Sequence, residues 1–335
     1  MVSAHFIQIF YYDSARTANT FTFRKHLSNN AKMLLWQCMT DNLKVLVIGQ
    51  AVQDVLTGSR YPRPIQRVGG KGFNQAVQFA MLGAETALAT AIGWGRPFKR
   101  EFQELAKRYN IDIKHVIFGG NSAAKDTTTV IVNEELCGRT TVYVENAEIM
   151  AYNRAVDEVV DLIVNDILQP DIISVTLEID CTLSGVRQIH DHYKKRKDRR
   201  PLIILNPAPL PKTSSYILEQ LSMFDIITPN RYEASTLLGY GEITNPIKAA
   251  KELRKRTGCP MVCVTLDEDG VAATNGRSSF ILPSPDTGRK VADTVGASDV
   301  FTAALTVEYC RTGDFRKSVS VANATARDFV SRPLD

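Results

Sequence analysis

No stretch of this sequence approaches the ~18 to 20 uninterrupted apolar residues that a helix needs to cross a bilayer. A water-soluble chain with no membrane partner is therefore expected. Cysteine is sparse: six residues (Cys38, Cys137, Cys181, Cys259, Cys263 and Cys310) are scattered through 335. A disulfide framework or a zinc module would show clustered, repeated spacings, so a reducing compartment is expected. The lone C-x3-C of Cys259 and Cys263 has no second pair, and Cys263 sits in a strand-like run. Charge is close to balance, with 40 Lys and Arg against 36 Asp and Glu, a net of +4. A dedicated nucleic-acid binder would be more basic, so a small-molecule partner is expected. The sequence also lacks a Walker A motif, which excludes a P-loop as the nucleotide cradle.

The chain nevertheless has ample material for a core, being 44% hydrophobic and only 23% charged. Residues 1–43 stand apart: they mix aromatics with Ser, Thr and Asn, carry four Lys or Arg against two Asp, and show no lasting period. They are expected to form an appendage of poorly defined structure. Their acid-poor start leaves a mitochondrial transit peptide open beside a cytoplasmic setting. From Lys44 short β-branched runs alternate with helical ones, as a mostly parallel sheet covered by crossover helices does.

The expected strands are 45–49, 86–92, 172–176, 202–206, 225–228 and 261–265. Helices are expected near 73–82, 99–109, 156–167, 183–193, 216–221, 233–238 and 247–256, and a hairpin over 127–143. The basic run His192 to Arg200 reads as a solvated helix end or as a nuclear-import or polyanion patch.

Two glycine-containing segments open helices and carry the chemistry. In Arg67-Val-Gly-Gly-Lys-Gly-Phe-Asn-Gln-Ala76 the glycines let backbone approach a ligand, Lys71 supplies donors and Asn74 offers a donor and an acceptor. Such a turn also serves close packing. In Asp293-Thr-Val-Gly-Ala-Ser-Asp299 the N–H groups of Gly296, Ala297 and Ser298 would lie at a helix N-terminus, where they can hold a phosphate. Asp299, on the first turn, could cap the helix or take a proton from an attacking hydroxyl.

The first segment, followed by Gly83 and Gly93, resembles the N-terminal signature of the ribokinase-like family of sugar and nucleoside kinases, and the second resembles its C-terminal signature. Between them Asn206-Pro-Ala-Pro209, Thr228-Pro-Asn-Arg-Tyr-Glu233 and Val264-Thr-Leu-Asp-Glu-Asp-Gly270 stand in the family order. The resemblance spans about residues 44 to 330, and its motifs are most like those of the ribokinases.

That resemblance implies a three-layer α/β/α fold with a mostly parallel sheet and a reduced β flap. It further implies transfer of a phosphoryl group from ATP to a small sugar such as ribose, with Mg2+ and K+ as cofactors; the alternatives are a kinase for another sugar or a nucleoside, and a catalytically impaired member that acts as a binding protein. Asp299 becomes the base. Asp54, Gly70, Lys71, Gly72, Asn74 and Glu178 become the sugar site, and Asn230, Thr265, Asp267, Gly270, Gly296, Ala297 and Ser298 the nucleotide site. Glu233 would hold Mg2+ through water, and Asp293 and Val295 would supply part of a monovalent-cation site.

Four departures qualify this. Ser298 and Asp267 stand where the family has Gly and a small residue, and Val52 replaces a sugar-binding Asn. The 55–68 stretch is short for the flap, which puts a homodimer contact there in doubt. If the Ser298 position needs φ > 0, strain of roughly 1 to 2 kcal/mol follows, and Ser298→Gly would speed the enzyme. Asp267 would oppose phosphates unless it faces solvent. The resemblance also leads one to expect a further segment beyond Asp335, carrying the other monovalent-cation ligands.

Overall fold

The computed structural model describes residues 43–57, 63–93, 96–119, 129–133, 140–143, 146–177, 182–196, 200–208, 210, 217–291 and 294–332. All lie in one compact unit, Asp41–Asp335. The expected appendage falls outside them, apart from its last residue.

The main sheet is built from β1 (Lys44–Ile48), β4 (Glu85–Ile92), β5 (Ile111–Asp112), β6 (Val116–Phe118), β9 (Ile172–Thr176), β10 (Leu202–Asn206), β11 (Ile226–Ile227), β12 (Met261–Thr265), β13 (Val271–Thr274) and β14 (Ser279–Leu282). Its order is β14-β13-β12-β11-β10-β9-β1-β4-β5, with β6 also on β4. Pairing is parallel from β12 to β5, and only β13 and β14 run antiparallel, at one edge.

A second sheet holds β2 (Val52–Thr57), β3 (Ile65–Gly69), β7 (Thr129–Asn133) and β8 (Thr140–Tyr143), in the order β3-β2-β7-β8. The flap therefore draws on two distant segments. β2 and β3 supply one side, and β7 and β8, the antiparallel strands of the expected hairpin, supply the other, with β7 joining β2 in parallel.

The helices are α1 (Lys71–Met81), α2 (Arg96–Arg108), α3 (Asn146–Val164), α4 (Thr182–Lys194), α5 (Arg231–Leu238), α6 (Pro246–Thr257), α7 (Ala297–Thr312) and α8 (Phe315–Val330). Their distribution follows from the two-residue period of the strands. On β1, Leu46 and Ile48 point into a core shared with α3 to α6. Val45 and Val47 point the other way, against α1, α2 and α7. The far end of that second face is closed by α7 and α8 over Ile204, Ile226 and Cys263. Both faces are covered, which is why the strands read as near-continuous apolar runs.

Of the expected helix at 216–221, the described residues 217–218 are helical and are followed by a turn and by the 3-10 turn Leu221–Met223. The basic run is partly paired: Arg196 bonds Asp166 at 2.7 Å and Arg200 bonds Asp225 at 3.0 Å. Both pairings favour the solvated-helix-end reading. Cys259 and Cys263 are buried and free, and burial pushes the Cys259 thiol up to about 12.

The carboxyl ends of the parallel strands are where open α/β sheets bind ligands, and here the chain makes a backbone-to-backbone contact. The Phe73 amide donates to Gln50 O at 3.1 Å, seating the first turn of α1 on the end of β1. A Cβ added to Gly72 would lie 2.3 Å from the Gly49 carbonyl carbon, so only glycine lets these two segments touch. Gly72→Ala is expected to cost about 1–3 kcal/mol, as overpacking does, lowering the melting midpoint by roughly 2–4 °C per kcal/mol. Calorimetry beside Gly241→Ala, where nothing lies within 4 Å, checks this. Equal midpoints for the two variants would refute it.

Candidate functional site

Two turns meet at the start of α7. The first follows β3, where Gly70 caps α1 with φ of 90° and puts Lys71, Asn74 and Gln75 on the first turn and a half. The second is the turn before α7, where Gly296 takes φ of 88° as the N-cap. That left-handed residue lets the chain enter the helix so that Asp299 falls on the first turn, facing α1. Lys71 Nζ donates to Ser298 Oγ at 3.0 Å and lies 3.9 Å from Asp299 Oδ1. Gln75 Nε2 donates to the same Oδ1 at 3.1 Å, while Asn74 Nδ2 reaches Oδ2 only at 3.5 Å.

Asp299 is 2% exposed. Burial raises its pKa, with Lys71, Gln75 and Asn74 acting in the opposite direction. A carboxylate in this setting can accept a proton readily and can be charged when it does so.

The α7 turn also has amides to offer. Those of Ala297 and Asp299 donate to Thr294 O and Gly296 O. The amides of Gly296 and Ser298 have no carbonyl partner among the described residues, so two donors remain at a positive helix end. Ser298 lies inside α7 and is absent from the residues with positive φ, which are Asn110, Asp166 and Asp267 among the non-glycines. The strain expected at Ser298 is therefore not present, because Gly296, two residues earlier, makes the turn.

Around this centre stand two more acids. Asp54, on β2 of the flap, is buried and pushed up to about 6, chiefly by desolvation. The charges of Arg67 and Lys71 pull its pKa down and Asp299 pushes it up. Glu233 is pushed up to about 7, again chiefly by burial, with Lys71 and the Asn230 amide opposing and with Asp299 and Asp267 adding. Lys71 and Asp299 thus act on both acids across one cleft.

Asn230 and Glu233 form a capping box at the start of α5: the Asn230 side chain accepts from Glu233 N at 2.8 Å, and Glu233 Oε2 accepts from Asn230 N at 2.8 Å. Asn230 Nδ2 donates to Glu233 Oε1 at 2.9 Å. Each Glu233 oxygen then keeps one lone pair. That fits a hard cation held through its own water rather than by direct ligation. Among the described residues no group of three His, Cys, Asp or Glu could hold a metal directly.

Thr265 ends β12 and bridges Asn230, its amide donating to Pro229 O at 3.0 Å. The chain then makes the 3-10 turn Asp267–Asp269, tied to α5 by Arg231 Nη2 donating to Asp269 at 2.6 Å. Asp267 is exposed by surface area, yet desolvation raises its pKa and its charge still bears on Glu233; Gly270 closes the turn with φ of 95°. Val295 is half-buried in the turn before α7. Glu178 and Asp293 lie outside the described residues.

Of the residues expected from sequence, Lys71, Asn74, Ser298 and Asp299 are in direct contact, and Asp54 and Glu233 sense the same charges. Gln75 and Ser174 were not expected. A signal existed for Gln75: its spacing from Gly72 and Phe79 puts a polar residue on the apolar stripe of α1, and the structure buries it fully there.

Comparison with known proteins agrees with this geometry. The pfkB family carbohydrate kinase pattern matches residues 42–334. The ribokinase of Haemophilus influenzae is 29% identical over 292 residues, covering 83% of this chain and 85% of that protein. A bifunctional ribokinase/ribose-5-phosphate isomerase A from Fructilactobacillus sanfranciscensis is 29% identical over 78% of this chain, which spans 48% of that longer protein. Among solved structures, the adenosine kinase of Sinorhizobium meliloti has the same fold, with a TM-score of 0.69 at 18% identity over 88% of this chain and 96% of that one.

The raised acids give the fold a pH dependence of definite sign. The Asp54 carboxyl titrates at 3.8 unperturbed and at about 6 in the fold, so between those values the folded state binds more protons than the unfolded one. Stability then falls as pH rises through that window. Asp54→Asn is expected to flatten the decline in melting midpoint between pH 4 and 6. An unchanged pH profile in this variant would contradict the assignment.

Proposed function

Since this chain belongs to the pfkB family of carbohydrate kinases, we propose that it transfers the γ-phosphoryl group of ATP to a hydroxyl of D-ribose, forming ribose 5-phosphate. The single observation that most supports a transferase site is the buried Asp299 carboxylate beside Lys71 and the open end of α7. Asp299 takes the proton of the primary hydroxyl, and the electron pair of that O–H bond forms the new bond to phosphorus. The bond from phosphorus to the departing ADP oxygen breaks. Lys71 and the Gly296 and Ser298 amides face the charge spread over the phosphoryl oxygens.

Asp54, on the flap, accepts from sugar hydroxyls, as a carboxylate can from two at once. Mg2+ would be held through water at Glu233, supplying charge neutralisation between phosphate oxygens. K+ would be held in part by Asp293 and Val295.

Ribose is favoured over other acceptors by the match to ribokinases across most of their length. A second reading, a kinase for another sugar or a nucleoside, is favoured by Val52. It is a buried apolar residue on β2 beside Asp54, where the resemblance calls for an amide. An assay of ADP release with Mg2+ over ribose, 2-deoxyribose, fructose and adenosine separates the two. Ribose is expected to give the highest kcat/KM, and a preference for adenosine or fructose would overturn the ribose assignment.

The same assay checks Ser298. Its hydroxyl accepts from Lys71 and its backbone is helical, so Ser298→Gly removes a partner and weakens the first turn. A several-fold loss of kcat is expected, roughly 1 kcal/mol in the barrier. A gain would restore the strain that the sequence led one to expect.

A further inference from the structure

Gln75 has a geometry that the phosphoryl-transfer reading leaves unused. It is on α1, completely buried, and both ends of its amide are engaged. Ser174, equally buried on β9, donates its hydroxyl to Gln75 Oε1 at 2.7 Å. The amide nitrogen donates to Asp299 Oδ1 at 3.1 Å. The opposite amide orientation would set Oε1 against a carboxylate oxygen and leave Asp299 Oδ1 without this donor. The chain from β9 through α1 to α7 therefore has one favourable direction of donation. A buried polar network of this kind is favourable only if every member is satisfied, and this one is satisfied at each link.

The two oxygens of Asp299 are consequently not equivalent. Oδ1 accepts from Gln75 and faces Lys71 at 3.9 Å, whereas among the described residues Oδ2 has only the long contact from Asn74 at 3.5 Å. We propose that Gln75, braced by Ser174, is the positioning residue of the base: it anchors Oδ1 of Asp299 and leaves Oδ2 to take the proton from the acceptor hydroxyl. Gln75 donates to Oδ1 before transfer, when the carboxylate is charged, and after it, when Oδ2 carries the proton and Oδ1 is the carbonyl oxygen. The donor favours the charged form, so it keeps the base ionised while fixing the plane of the carboxylate. The other charged groups bearing on this site are Lys71 from α1, Arg67 from β3, Asp54 from β2, Glu233 from α5 and Asp267 from the turn after β12. The proposed variants leave all five intact.

This inference rests on Asp299 being the base, and the test separates the two. The pH dependence of kcat and kcat/KM is measured with the best acceptor for the wild type, Gln75→Leu and Ser174→Ala, with melting midpoints alongside. In Gln75→Leu, kcat is expected to fall about tenfold with KM for the acceptor nearly unchanged. The acidic limb of the profile should move up by about one pH unit, a tenfold change in the acid's dissociation constant. Ser174→Ala should move the limb in the same direction by less, because Gln75 remains but is no longer braced.

A lowered melting midpoint with the limb in place would mean that Gln75 only fills space, and would overturn the proposal. Should Gln75→Leu not fold, Ser174→Ala decides: a displaced limb supports positioning, and a wild-type profile refutes it. Absence of any acidic limb in the wild type would instead remove Asp299 as base, and the inference with it.

Discussion

A carboxylate taken out of water must find compensation for its charge within the protein, and Asp299 finds it in Lys71, Gln75 and Asn74, all on the first turns of one helix. That requirement ties α1 to α7, elements more than 200 residues apart in sequence. It also explains why α1 sits so deep. Lys71 and Gln75 reach Asp299 only if α1 starts hard against the end of β1, and that approach depends on Gly72 meeting Gly49 without a Cβ between them. The sheet then contributes from below: Ser174 of β9 braces Gln75, and β9 lies beside β1 in the centre of the sheet.

Three buried acids share the influence of Lys71, and Arg67 bears on Asp54 as well. Asp54, Glu233 and Asp299 all have raised pKa values, and in each case burial is the leading cause. Lys71 is the common opposing charge. Burial outweighs these cations at each acid, and a bound cation would make their ionisation easier. Glu233 illustrates how local structure and chemistry share a residue. Its capping-box bonds hold the first turn of α5 and aim the carboxylate, yet they occupy only one lone pair on each oxygen.

Much of this architecture is legible in the order of the amino acids alone. The alternation of apolar runs places β1, β4, β9, β10 and β12, because strands buried on both faces leave an unmistakable pattern. The two glycine turns bring out Lys71, Asn74 and Asp299 because glycine and helix-terminal chemistry are local. What stays hidden depends on long-range pairing. The flap reads as a short stretch because β7 joins β2 from more than 70 residues away. The backbone of Ser298 cannot be assigned from its own position because the left-handed residue that makes the turn is Gly296, two positions earlier. Gln75 lies within the first glycine segment and Ser174 within an expected strand, yet neither stands out there, because each matters through a partner on another element.

The central claim is that Asp299 accepts the proton in phosphoryl transfer, and Asn is the substitution that removes its basicity with the least change of shape. Steady-state turnover of Asp299→Asn, measured with calorimetric titration of ribose and of ATP, tests it most directly. The account predicts that kcat falls by about 10²-fold or more, while both ligands bind within a few-fold of wild type. Turnover above a third of wild type would contradict it, because an amide cannot take up the proton and some other group would then have to be the base.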